Sequence, residues 1–563
     1  MSRSSASNAA EPWSEAATLS IVETEVVSTL LSGLVLQMQN SLFRTGFSSV
    51  IRESHDASCA ILDVSGRVLA QHVVLPLHLG AFSECAKAIL RRYPADQITE
   101  GDAFLINHPY RGGSPHAPDM AILSPIFIAG AWVGFSATMA HKNDIGGPVP
   151  GSCPTTARDI FAEGLQLPAL RFVRQGQVVA ELEDVIKANT RTPEIVWGDI
   201  RGQLGACRLG ERLLRELAGD DVDRLLAHAH HNAELTARRI AAVVAGWPDG
   251  AYSATRYVDH DGIRRDHRLR LSVHVIKEGP ELLFDLTDCD DQAAGPANIR
   301  PPLACAAAAF VMTSLVDPTL PINYGLLESM HVRTRPGSLV DPYYPAPVNT
   351  YNPTVHALEE AMFAALAPLG TRQVAGGGGS RSIAISGRRP GGDTFVQYEL
   401  FGGGSGARTD RDGISGTTVN HTNASIAPIE IIESEFPVRI RRFELIKDSG
   451  GAGTYRGGLG FRREYEILAD EVRANVRSDK HLVAPGGLQG GDPGRPGRLI
   501  VRRQGGDEQV LDSRVSDLVL HRGDLLTLET PGGGGIGDPA GRDPLTLERD
   551  RRLGYVESWP GER

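Results

Sequence analysis

The chain has 563 residues, a formal net charge of −11, 41% hydrophobic and 22% charged residues. This is the composition of a globular protein with two or three domains' worth of chain, and its acidic balance argues against nucleic acid, which requires a basic face. The longest unbroken apolar run, Leu303 to Met312, is too short to span a bilayer.

The first 16 residues are polar, rich in Ser and Ala, and lack an apolar h-region, so they read as a disordered lead and not a signal peptide. Six cysteines are scattered without a C-x-x-C pair, which in so long a chain points to reduced thiols and a cytoplasmic protein. From Ala17 to Arg44 the residues Ile21, Val26, Val27, Leu30, Leu31, Leu34, Val35 and Met38 follow helical spacing, predicting one long amphipathic helix. Two strands follow, Ala57 to Asp63 and Val68 to Val74, flanking the hairpin signal Ser65-Gly66.

The next stretch carries chemistry. Gly113-Ser-Pro-His116-Ala-Pro-Asp119 and Ala140-His141-Lys-Asn-Asp144-Ile-Gly-Gly147 each contain His-x-x-Asp. Between them lie two β-prone runs, Met120 to Ile128 and Ala131 to Ala140, joined by Ala129-Gly130. Pro125 predicts an edge or a bulge in the first run. A two-residue hairpin loop would set Asp119 opposite Ala140 and Pro118 opposite His141, bringing both motifs to one open end. Register error of one residue flips side chains to the other face, so the hairpin argues for proximity and not for ligand geometry. Two imidazoles and two carboxylates form a mixed N/O set suited to divalent Zn, Mn or Fe.

After a loop, Asp159 to Ala245 reads as mainly helical, notably Arg212 to Leu217 and Leu225 to Val244. A strand-rich middle from Tyr252 to Leu286 leads into an Ala-rich helix, Leu303 to Leu315, and a second helix, Thr354 to Ala367. From Gly370 onward glycine clusters separate short β-prone runs, the pattern of a turn-rich β domain. The fold class is therefore α+β: a mixed α/β metal-binding region over 17–248, a middle α+β region over 249–370 and a Gly-rich, β-dominated region over 371–563.

Other motifs carry less. Gly402-x-Gly404-x-x-Ala407 follows a strand, but Arg-Thr-Asp-Arg-Asp-Gly comes next instead of the helix a dinucleotide loop needs. No phosphate loop of the G-x-x-x-x-G-K-[ST] type and no G-x-S-x-G elbow occurs, so this chain is not expected to hold ATP or to act as an α/β-type serine hydrolase. His228 with His231 reads as part of a solvated helix, and His356 with Glu359 as a weaker pair still. Cys59 reads as a core thiol, and Cys153, in the loop after Asp144, as a bystander.

Asn107-His-Pro-Tyr110-Arg-Gly-Gly113, the two His-x-x-Asp motifs, Pro150-Gly-Ser152, Asp56-Ala-Ser-Cys-Ala-Ile-Leu-Asp63, Leu75-Pro-Leu-His-Leu-Gly80, Arg408-Thr-Asp-Arg-Asp-Gly413, the run from Asp448 to Gly460 and Pro531-Gly-Gly-Gly-Gly-Ile-Gly-Asp-Pro539 all occur in this one chain. Together they resemble the hydantoinase B family, which includes B subunits of ATP-dependent hydantoinases and lactamases, the matching half of 5-oxoprolinase and α subunits of acetone carboxylases. The resemblance spans nearly the whole chain. It implies a hetero-oligomer in which ATP and Mg are held by a larger hydantoinase A-type ATPase subunit, while this chain holds a divalent metal through His116, Asp119, His141 and Asp144. One departure stands out: His108 occupies the place where the family pattern leads one to expect Asp.

The chemistry this implies is ring opening of a hydantoin, a lactam or 5-oxoproline. The partner phosphorylates the amide, and metal-activated water attacks it. His78, His108 and Lys142 are the expected acid/base or supporting groups. The alternatives are the α subunit of an ATP-dependent ketone carboxylase and a non-catalytic scaffold for the ATPase subunit.

Overall fold

The structure is a computed structural model describing residues 19–72, 75–369, 372–389 and 391–560. The expected lead over 1–16 and the last two positions of the Val68 to Val74 strand lie outside the described residues. Helix α1, Ile21–Thr45, begins where the Ser20 side chain accepts from the Glu23 N–H, the usual N-cap arrangement. Leu31, Leu34, Val35, Met38 and Leu42 form its buried stripe, packed on the long helices Pro193–Ala218 and Val222–Ala245. By length and composition α1 could cross a membrane, yet this stripe belongs to a protein core shared with Ile61, Leu214 and Leu225.

The site is carried by a seven-stranded antiparallel sheet: β1 (Ala57–Leu62), β2 (Val68–Gln71), β3 (Ala103–Ile106), β4 (Asp119–Ile128), β5 (Ala131–His141), β6 (Leu170–Arg174) and β7 (Gln177–Val178), in the order β2-β1-β5-β4-β3-β6-β7. Helix Ala81–Arg92 covers one face through Phe82, Cys85 and Ile89, against Leu123, Phe135 and Met139. Helices α1 and Pro193–Ala218 cover the other. Because both faces are buried, β4 and β5 are apolar almost throughout and do not alternate.

The register of the β4–β5 hairpin corrects the expected one. At the tip, Ile128 pairs with Ala131, as a two-residue loop at Ala129-Gly130 requires. A bulge then leaves Val133 unpaired between the Phe127–Trp132 and Ile126–Gly134 pairs, so Asp119 meets His141 and Met120 meets Ala140. Gly134 belongs to this bend, because a Cβ there would lie 2.1 Å from the Leu62 carbonyl oxygen. Pro125 sits beyond the last residue paired with β3, at a point where β5 is the partner strand. A second correction concerns the region read as helical after Asp159: β6 and β7 fall within it and extend the sheet beyond β3.

Strands Gly250–Val258, Leu269–Glu278, Glu281–Asp285 and His331–Arg333 form a separate four-stranded sheet. It shares a core with helices Pro301–Val316 and Asn352–Leu366. The C-terminal part builds a four-stranded and a five-stranded sheet around one core that includes Ile383, Phe395, Tyr465, Val476 and Leu526. Its glycine clusters converge on one another through the main chain: Gly378 N–H donates to Gly404, Gly533 to Gly458 and Gly534 to Gly376. A Cβ on Gly404 would lie 1.9 Å from the Gly458 carbonyl oxygen, so these loops stack backbone on backbone with no room for side chains.

Candidate functional site

Asp119 opens β4 and His141 closes β5, so the bulged register points both side chains to the same face of the sheet. His116 joins them from the loop before β4. That loop is stitched down by Asn107, whose amide donates to the carbonyls of Ala117 (2.7 Å) and Leu165 (2.8 Å) and accepts from the Leu167 N–H. His116 Nε2 lies 3.1 Å from Asp119 Oδ1 and 3.2 Å from His141 Nδ1, while His141 Nδ1 lies 3.1 Å from the same Oδ1. His78 Nε2 approaches Asp119 Oδ2 to 3.8 Å, its other nitrogen held by Ser58 Oγ at 2.8 Å. All four side chains are buried.

The protons of this cluster can be assigned. Asn349 Nδ2 donates to the Ser152 carbonyl, so its Oδ1 accepts, and His116 Nδ1 at 2.7 Å must carry the hydrogen. His116 Nε2, the nitrogen on the other side of the ring, faces a carboxylate oxygen and the second imidazole. Asp119 Oδ2, His141 Nε2 and His78 Nε2 have no hydrogen-bond partner among the described residues. Asp119 Oδ1 and the two ring nitrogens converge at 3.1–3.2 Å with orphaned polar atoms around them, an arrangement satisfied by protons on the rings or by a cation held between them. Two imidazoles and a carboxylate, with one imidazole braced through its far nitrogen, form a donor set that fits a divalent transition metal.

A cavity of about 10 Å³ adjoins the cluster, lined by Asp56, His116, His141, Tyr351, Tyr398 and Arg477 among others; that is room for about one water. The buried Arg477 guanidinium donates to the Asn349 carbonyl (2.9 Å), Ser382 Oγ (2.7 Å) and the Tyr398 hydroxyl. Burial pushes the Asp56 carboxyl well up, with the Asp119 charge adding to it. Burial works the same way on Asp119, but its histidine neighbours outweigh it and hold that carboxyl well below the usual range. Burial also lowers His141 to about 4.

The family model described as Hydantoinase B/oxoprolinase matches residues 20–539. The chain belongs to the hydantoinase B/oxoprolinase family. It is 31% identical to the beta chain of the caprolactamase of Pseudomonas jessenii, over 96% of this chain and 94% of that one. It is also 31% identical to a protein named as the B component of a D-/L-hydantoinase from Pseudomonas sp. (strain NS671), over 95% and 93%. In three dimensions it is similar to the crystal structure of the ATP-dependent caprolactamase from Pseudomonas jessenii, with TM-score 0.88, 27% identity and coverage of 96% of this chain and 95% of that one. Acetone carboxylase in its nucleotide-free form shares the fold, with TM-score 0.84 at 18% identity, over 95% of this chain and 78% of that one.

Within this family member the residues singled out from sequence separate into two groups. His78, His116, Asp119 and His141 come together. Asp144 does not join them: its carboxylate accepts from the backbone N–H of Gly146, Gly151 and Arg191 and from the Arg191 guanidinium at 2.9 Å, which makes it the anchor of the following loop. Lys142 points to the opposite face of the sheet, where Nζ donates to Gln203 Oε1 at 2.6 Å and burial lowers it to about 8. His108 caps the short turn Pro109–Gly112, accepting from the Tyr110 N–H, with Tyr110 and Tyr344 as ring neighbours. Burial, with Arg111 and Arg300 nearby, lowers it to about 4. Cys153 is buried, donates to Asn349 Oδ1 at 3.0 Å and is raised to about 11, chiefly by burial, so it is no ready nucleophile. His228 is not solvated; it is buried against α1, 2.9 Å from Thr24 Oγ1.

Asp56, Asn349, Tyr351, Tyr398 and Arg477 were invisible in the sequence as site residues. They lie as far as 361 positions from His116, on strands and loops with no local motif of their own; only Asp56 stands in a stretch that also carries the family resemblance.

Proposed function

We propose that this chain is the B-type subunit of an ATP-dependent cyclic amide hydrolase, working beside an A-type ATPase subunit that holds ATP and Mg and phosphorylates the ring amide of a hydantoin, a lactam or 5-oxoproline. The observation that carries the reading is the buried convergence of His116, Asp119 and His141 on one point, in a chain alike over nearly its whole length to the beta chain of a caprolactamase. The absence of a phosphate loop agrees with ATP being held elsewhere.

His116, Asp119 and His141 would hold the divalent cation, with His78 in reach of the second Asp119 oxygen. Such an ion supplies Lewis acidity toward a carbonyl oxygen and lowers the pKa of a water. Asn349 holds His116 through Nδ1 and so keeps its Nε2 as the nitrogen on the ligand side. Arg477 stands at the same cavity as a fixed positive charge, suited to the negative charge that builds on a carbonyl oxygen under attack. The cavity holds about one water, so a ring is admitted only when its walls part, and bulk water stays out while they are closed.

The test is to co-express the chain with an A-type ATPase subunit and assay 5-oxoproline, hydantoin and lactams with and without ATP and labelled bicarbonate. The expected result is ATP-dependent ring opening, abolished by Asp119→Ala, with no label entering product. Bicarbonate-dependent labelling would replace this reading with a carboxylase. Full activity and metal content in Asp119→Ala would show this site assignment to be wrong, and an active complex with no bound metal would leave the chain as a scaffold.

A further inference from the structure

The helix Asn352–Leu366 places His356 and Glu359 one turn apart on one face, and His421 reaches them from the loop after strand Thr394–Phe401. Ligand-capable atoms of the three lie within 4.8 Å of one another, and none of the three residues is more than 1% exposed. The set repeats the residue types of the first cluster: His-x-x-Glu plus a distant His, beside His-x-x-Asp plus a distant His.

Proton bookkeeping sharpens the parallel. His356 Nε2 lies 3.2 Å from the Gly377 carbonyl and 3.2 Å from Glu360 Oε1, both acceptors only, so Nε2 carries the hydrogen, and Nδ1 faces the Asn420 amide nitrogen at 3.3 Å, which a metal ion would displace. An imidazole that gives one N–H to a carbonyl and a carboxylate has the outer support of a metal-bound histidine, as His116 has from Asn349. Charge counting points the same way. Glu360 is matched by Lys480 at 2.7 Å, whereas Glu359 meets only the His421 ring at 2.8 Å, and its Oε1 has no partner among the described residues. A fully buried carboxylate needs a cation: either an imidazolium at His421, whose Nδ1 faces Glu359 Oε2 and whose Nε2 faces Asn352 Oδ1 at 3.3 Å, or a metal ion that displaces its proton.

We infer that His356, Glu359 and His421 form a second divalent-cation site, of the Zn, Mn or Fe class, in addition to the His116–Asp119–His141 cluster. Its ligands are one nitrogen of each histidine and the Glu359 carboxylate, with a proton released on binding. The site is tied to the first in two ways. His421 Nε2 touches the Asn352 side chain, which lines the first cavity, and the His421 carbonyl accepts from Leu77, next to His78. Occupancy therefore sets the position of one wall of the cavity.

The experiment is metal analysis of the purified complex after loading with Zn, Mn or Fe, alongside anomalous diffraction from loaded crystals. Wild type is expected to hold two equivalents per chain, His421→Ala and Glu359→Gln one each, and Asp119→Ala one, with an anomalous peak between His356 and His421. A metal count in wild type that His421→Ala and Glu359→Gln leave unchanged, under every loading, overturns the inference. A doubly protonated His421 ring seen by ¹⁵N NMR in the loaded protein also overturns it, since imidazolium would then match Glu359. If the first cluster proves metal-free, Asp119→Ala leaves the count unchanged while His421→Ala still lowers it, so the two readings fail separately. The anomalous peak in wild type answers the question should a variant not fold.

Discussion

Asp119 and His141 are cross-strand partners because Val133 bulges out of β5. Were Val133 paired with Ile126 instead of bulged, Asp119 would face Ala140 and His141 would point to the opposite side of the sheet. The convergence of the two rings on Asp119 is thus built into the sheet and is present without an ion. Asp119→Asn keeps the shape of the side chain and removes the charge that the histidines favour. The metal-free variant is expected to be less stable than metal-free wild type at neutral pH, by about 1 kcal/mol, while its metal affinity falls by at least about 100-fold. Denaturant melts of chelated protein and metal titrations check the two halves; higher stability with affinity retained would sink this account of the cluster.

Asp144 is predicted to behave differently. Its carboxylate satisfies three backbone N–H groups and the Arg191 guanidinium, so Asp144→Ala strands a partly buried cation and the loop's amides. A loss of about 3 kcal/mol is expected, with metal stoichiometry at the first cluster unchanged in the protein that remains folded. Loss of that metal with unchanged stability would restore Asp144 to the ligand set that the paired motifs implied.

Arg477→Lys separates charge from shape. A lysine keeps the positive charge but cannot reach Asn349, Ser382 and Tyr398 together. Metal content should stay intact while turnover falls about 100-fold, with KM changing less than kcat. Wild-type turnover would show that Arg477 only braces the Asn349 and Tyr398 walls.

What the sequence reveals here follows the range of the interactions. Periodicity displayed α1, the β4–β5 hairpin and the helix Asn352–Leu366, because each is specified by its own residues. The two His-x-x-Asp motifs displayed His116, Asp119 and His141, because a hairpin is a local object. Asp144 was misplaced by the same logic: its motif looks like its twin, but the turn at Gly146-Gly147 and the incoming Arg191 take its side chain elsewhere, and nothing near Asp144 encodes Arg191. The bulge at Val133 was hidden because it is set by packing against β1, where Gly134 admits the Leu62 carbonyl. Arg477 was hidden for the plainest reason, being an ordinary strand residue until the C-terminal sheet packs beside the hairpin.

The glycine clusters were read as turns, and their stacking gives a sharper expectation. A methyl at position 404 would sit 1.9 Å from the Gly458 carbonyl oxygen and 2.6 Å from the Gly533 nitrogen, both main chain and unable to swing away. Gly404→Ala should cost more than about 4 kcal/mol and yield insoluble protein. Gly505→Ala, where no atom lies within 4 Å of the added carbon, should express and melt like wild type. Equal solubility of the two would mean that the stacked loops can separate freely.

Glu211 gives a pH dependence that does not involve the site. On helix Pro193–Ala218, it is raised to about 7, chiefly by burial, with Ser124, Arg208 and Arg215 opposing. Unfolded, it titrates near 4.5, so between pH 4.5 and 7 the folded state holds a proton that the unfolded state has released. Stability contributed here therefore falls as pH rises through that window, and the cost is complete above about 7. A shift of that size corresponds to about 3 kcal/mol, and partial solvent access reduces the expected effect to about 1–2 kcal/mol. Glu211→Gln, which cannot ionise, should be more stable than wild type by that amount at about pH 8 and equal to it near about pH 4.5. Urea melts at the two pH values check this, and a gain of the same size at both would assign it to packing against Ser124 instead of to the charge.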